Sequence, residues 1–78
     1  MRIVSEDRGI DIPYEQSIIV IDDERIKAVN PDGLTYVLAT PETYPQAKAA
    51  MDLIVESYQR DAKVVYMDYI MEEVREEC

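Results

Sequence analysis

The sequence predicts an α+β domain: an antiparallel sheet of about five or six strands, with one main helix on a face and a short carboxy-terminal helix. Three observations carry this. Residues 17–39 hold short β-branched or alternating runs separated by turn residues. Beyond Thr40 the apolar period changes from two to that of a helix. The apolar content of 47% over 78 residues suits one small domain, 1–78, and is too high for a disordered chain despite a net charge of −9.

The elements follow in order. "MRIVS" reads as a short strand, with Ile3 and Val4 between polar residues, and "EDRG" as a turn in which Gly9 supplies any positive φ. "IDIP" alternates Ile10 and Ile12 against Asp11. Pro13 lacks the N–H of a ladder donor, so it ends that strand or sets it on an edge. These two pieces form a first hairpin. "SIIVI", residues 17–21, is apolar on both faces, which suggests a central strand or one whose second face meets a partner. "RIKAV", 25–29, alternates, and the intervening "DDE" has hairpin-loop length. In "NPDG", 30–33, Pro31 pre-sets φ for a type I turn and Gly33 takes the left-handed position of a bulged hairpin before the strand "LTYVLA", 34–39. Residues 17–39 are therefore a three-stranded antiparallel meander.

Thr43 stands three residues before Gln46, the spacing of a capping box, with Pro45 tolerated in the first turn. The helix should run from about 44 to 60 and bury Ala47, Ala50, Met51, Ile54 and Tyr58, with Leu53 and Val55 beside them. "KVVYM", 63–67, is a further strand. Met67, Ile70 or Met71, Val74 and Cys78 return at helical spacing, which makes 68–77 a short amphipathic helix.

Composition excludes more functions than it suggests. With no His, no Ser–His or Cys–His couple can form, and the lone Cys78 has no ligand spacing around it. Gly9 and Gly33 are the only glycines, both explained as turn residues, so there is no phosphate loop. The chain is expected not to be an enzyme and to carry no cofactor. It has no apolar run of spanning length and no basic-then-apolar leader, so a cytoplasmic location is expected. Its charge disfavours direct contact with nucleic acid or a membrane and favours a protein with a basic surface. An aromatic platform for bases made of Tyr14, Tyr36, Tyr66 and Tyr69 would need a basic groove, so these rings read as core and interface packing.

Two acidic groups are the candidate partner-binding residues. Asp22, Asp23 and Glu24 could offer hard oxygen ligands, but adjacent side chains at a tight turn splay apart and no calcium-loop pattern accompanies them, so a solvated turn or a protein-contact patch is the reading. Asp68, Glu72, Glu73, Glu76 and Glu77 surround a single Arg75. Glutamates late in a helix oppose the macrodipole. They form either a solvated face or a surface that mimics phosphate spacing and enters a basic groove. The small size and the two-sided apolar strand 17–21 favour a homodimer or larger assembly.

The string "MRIVSEDRGIDIPYE" resembles the start of small proteins carried by phages and prophages of gut Firmicutes. The matching residues are Met1, Arg2, Ile3, Ser5, Asp7, Ile10, Asp11, Pro13, Tyr14 and Glu15, with a looser likeness through the "AKAAM" helix. The inserted Arg8 and the acidic terminal helix depart from that pattern. The resemblance implies a phage accessory protein, a class that often binds and inhibits host defence or regulatory proteins, anti-CRISPR proteins among them; the group has no motif of assigned role. The alternative is a small-molecule or nucleotide-sequestering oligomer, and a third reading is a structural phage accessory. A nucleotide pocket would draw on Arg2, Arg8, Arg25, Lys27, Lys48, Arg60, Lys63 and Arg75, the only cations present.

Overall fold

A computed structural model describes residues 1–76. Six strands and two helices follow in the order β1 (Arg2–Val4), β2 (Asp11–Pro13), β3 (Ile18–Asp22), β4 (Arg25–Val29), β5 (Thr35–Ala39), α1 (Tyr44–Gln59), β6 (Val64–Tyr66) and α2 (Met67–Glu76). The architecture is α+β, with the main helix and the short terminal helix where the periodicity places them. The strands, however, divide into two three-stranded sheets, β2-β1-β6 and β3-β4-β5. Pro13 closes β2, and a 3-10 turn over Tyr14–Gln16 carries the chain out of the first sheet before β3 begins. In that first sheet β1 is central, antiparallel to β2 and parallel to β6, which returns to it after α1.

The split corrects the reading of "SIIVI". Among the described residues its only ladder partner is β4, so β3 is an edge strand and not a central one. Its register with β4 places Ile19 and Ile21 beside the buried Ala28 and Ile26, while Ile18, Val20 and Asp22 point to the outer face. Ile18 is 66% exposed. On the other side of the sheet a bulge between Ile26 and Lys27 lets β5 turn both Leu38 and Ala39 into the core, although they are consecutive.

Between the sheets and the helices lies one core. The first sheet gives Ile3, Ile12 and Val65, and the second gives Ile26, Ala28, Leu38 and Ala39. The helices add Ala47, Ala50 and Ile54 from α1, with Met67, Ile70, Met71 and Val74 from α2. Thr43 caps α1, its hydroxyl accepting from the Gln46 N–H at 3.3 Å; the Gln46 side chain accepts from the Glu42 N–H and not from that of Thr43. The helix ends where Asp61 turns left-handed, with the Ala62 N–H donating to the Ser57 carbonyl. Tyr58 and Val55, expected to lie against the sheet, remain 45% and 43% exposed. No helix among the described residues is long and apolar enough to cross a membrane.

Candidate functional site

The acidic turn is a tight one. Asp22 pairs with Arg25, so the loop is Asp23-Glu24 alone, and both residues have positive φ, 55° and 65°. That is the twist a two-residue hairpin demands, usually met by Asn-Gly. Asp tolerates it, whereas Glu at the second position carries strain of about 1 kcal/mol. Asp22 lies diagonally across the outer face from Lys27, whose ammonium it holds at 3.0 Å. Asp23 and Glu24 have no ion-pair partner among the described residues.

On α2, Glu72, Glu73 and Glu76 lie on the solvent face opposite Met67, Ile70, Met71 and Val74. Arg75, beside them, donates to Glu6 Oε2 at 2.7 Å and reaches the Thr40 carbonyl at 3.5 Å. Thr40 directly follows Ala39, and Ala39 pairs with Ile26 next to the acidic turn. The last turn of α2 and the turn Asp22–Glu24 therefore lie at the same end of the meander, an end that also holds Glu6. Among the described residues, no three carboxylates converge closely enough to hold a metal ion.

Asp68 does not belong to this group. It sits in the first turn of α2 and forms an ion pair with Arg8 at 2.9 Å; its Oδ1 is buried without a hydrogen-bond partner among the described residues. Glu77 lies outside the described residues.

The sequence reading missed the surroundings of Arg8. The positive φ of the first turn falls on Arg8, at 60°, and not on Gly9. Asp7 governs that turn: its Oδ1 accepts from the Ser5 hydroxyl at 2.6 Å and the Gly9 N–H at 2.9 Å, and these bonds hold its pKa below the usual carboxylate range. The Arg8 guanidinium lies 4.7 Å from the Tyr66 ring centre and 5.3 Å from that of Tyr69, and the two rings meet edge-on at 5.8 Å. Tyr69, then Asp68, raise its pKa further. The i, i+3 spacing of the tyrosines is visible in the sequence, but the arginine that joins them is some sixty positions earlier.

A second feature lies on the far side of the meander. A hollow of about 320 Å³ opens between α1 and the start of β3, lined by Tyr14, Ser17, Ile19, Met51, Val55 and Tyr58 among others. The rings of Tyr14 and Tyr58 meet at a tilt of 39°, with centroids 4.9 Å apart. Glu15 also lines it, but its carboxylate is held by the amino terminus at 2.7 Å, which lowers its pKa. Comparison of the chain with protein-family models, curated proteins and solved structures finds no match.

Proposed function

We propose that the protein is a non-enzymatic phage or prophage accessory protein that acts in the host cytoplasm. It binds and inhibits a host protein, one that handles nucleic acid or serves defence, by placing its acidic end in a basic groove. The observation that carries this reading is the exposure of Asp23, Glu24, Glu72, Glu73 and Glu76 without ion-pair partners among the described residues, with the last turn of α2 at the same end of the meander as the turn Asp22–Glu24. Such an unneutralised end attracts a basic surface over a distance of about 10 Å at moderate salt and speeds encounter. A nucleotide-sequestering pocket has less support, since five of the eight cationic side chains are already in ion pairs: Arg2, Arg8, Lys27, Arg60 and Arg75. Self-association into a homodimer is part of the proposal and presents the acidic end twice.

The test is capture of host proteins from a bacterial lysate by the wild type and by a variant with Glu72, Glu73, Glu76 and Glu77 replaced by Gln. Exposed carboxylates at a helix end contribute little to stability, and the variant should melt within a few tenths of a kcal/mol of the wild type. Capture of a basic protein should fall on the order of tenfold, and its dependence on salt should flatten. Equal capture by both proteins contradicts the reading.

A further inference from the structure

We propose that the free edge of β3 is a self-pairing surface, on which a second copy of this chain adds its own β3 antiparallel to form a continuous six-stranded sheet. The inference rests on the self-association proposed above and is independent of the role of the acidic end. In a hairpin closed by a two-residue loop, alternate residues exchange hydrogen bonds across the ladder. Counting from the closing pair Asp22 and Arg25, the residues of β3 that bond to β4 are Asp22, Val20 and Ile18. The N–H and C=O groups of Ile19 and Ile21 therefore point away from the sheet, and neither residue has a backbone partner elsewhere among the described residues.

An open edge of this kind templates strand addition unless something blocks it, and charged side chains, proline, bulges and covering loops are the common blocks. Ile18–Ile21 carries no charged side chain, proline or bulge, and no loop among the described residues pairs with its outer edge. The opposite edge, β5, carries a bulge and is covered by the first loop, in which the Glu6 N–H donates to the Leu38 carbonyl at 2.7 Å.

Charge favours a second copy as the occupant. Residues 16–21 contain no ionisable side chain, although the chain as a whole is strongly acidic. The nearest charges are tied up, Asp22 by Lys27 and Glu15 by the amino terminus. Two acidic copies can meet here without opposing free carboxylates. The strand is also complementary to itself. Setting Ile19 opposite Ile21 of the second copy satisfies all the outward backbone groups of both strands at once. Val20 then meets Val20 on the two-fold axis, and Ile18 lies opposite Asp22. The axis is perpendicular to the sheet, so both helices α1 fall on the same face. The flank of half-buried Tyr14 and Met51 and exposed Val55 and Tyr58 is brought beside its equivalent. Pairing of two five-residue strands alone makes a contact smaller than a standard protein–protein interface, so the association is expected to depend on concentration.

The register makes a signed prediction at Ile18, an exposed position where substitution leaves the monomer fold intact. Ile18→Lys sets an ammonium opposite Asp22 of the second copy at two symmetric places and should tighten the dimer. Ile18→Glu sets carboxylate against carboxylate and should loosen it about tenfold. Sedimentation of the wild type and both variants from micromolar to millimolar concentration, at moderate salt to screen net charge, reads the result. A dimer tightened by Lys and loosened by Glu supports the proposal. A wild-type monomer throughout overturns both self-association and this interface. A wild-type dimer that ignores both variants, or is loosened equally by both, overturns this interface and leaves self-association standing.

Discussion

The two edges of the meander are built from similarly apolar strands and meet different surroundings. Along β5 the chain closes its own edge. Glu6 bonds backbone to backbone with Leu38, its side chain accepts from the Thr40 N–H at 3.3 Å, and Arg75 fixes the same carboxylate from α2. Behind that cover Leu38 is fully buried, at 1% exposure. Along β3 no described residue pairs with the outer edge, and none of the strand's own residues is fully buried. An apolar run thus indicates that a strand is to be covered, without indicating whether the cover comes from the same chain.

Substitutions on the two edges should separate them by a wide margin. Leu38→Ala empties a closed site and should destabilise the fold by about 2–5 kcal/mol, whereas Ile18→Ala should change monomer stability by no more than about 0.5 kcal/mol. Urea melts of both variants read the difference, and equal losses would show that the edges are equally closed. Gly33 sharpens the covered side, because it turns the chain from β4 into β5 with φ at +89°, and nothing lies within 4 Å of where a Cβ would stand. Gly33→Val should therefore cost about 1–3 kcal/mol from backbone strain alone. A melt coincident with wild type would mean that the turn tolerates a branched side chain. On the free side the strained residue is Glu24, and Glu24→Gly should stabilise the β3–β4 hairpin by about 1 kcal/mol, since glycine suits positive φ. Destabilisation would contradict the two-residue turn.

The smallest effect is in acid. Asp7 orders the loop that covers β5, and its pKa is lowered by the Ser5 hydroxyl and then by the Gly9 N–H. A carboxylate with a depressed pKa contributes stability above the usual value near 4, and that contribution is lost as the pH falls through its folded pKa. Asp7→Asn should flatten the acid limb of stability below about pH 4 and change it little at neutral pH beyond the loss of one charge-assisted bond. An unchanged acid limb would show that Asp7 plays no part in closing the edge. Glu15, lowered by the amino terminus, adds to the same limb and remains in the variant.

Local chemistry was legible in the sequence. The turn at Pro31–Gly33, the cap at Thr43 and both helical stripes are set by residues within a few positions of one another. What was not legible depends on distant pairings. Whether β3 is central or an edge depends on where β2 goes, and Pro13 with the 3-10 turn decides that. The parallel pairing of β1 with β6 joins Arg2 to Val64. The exposure of Glu72, Glu73 and Glu76 could be read from the helical period, but their placement at the same end as Asp22–Glu24 runs through Thr40 and Arg75. Asp68 looked like its acidic neighbours until Arg8 took it as a partner.

The chain closes one edge of the meander itself, and in the proposed dimer a second copy closes the other. Amide hydrogen exchange at Glu6, Ile19 and Ile21 tests it most directly. The Glu6 amide, bonded to Leu38, should be protected at every protein concentration. The Ile19 and Ile21 amides should exchange rapidly in dilute solution and become protected together as concentration rises through the dimerisation range. Ile19 and Ile21 amides protected equally at all concentrations where the protein sediments as a monomer, or exposed at all concentrations where it sediments as a dimer, would show that the β3 edge is not the self-pairing surface.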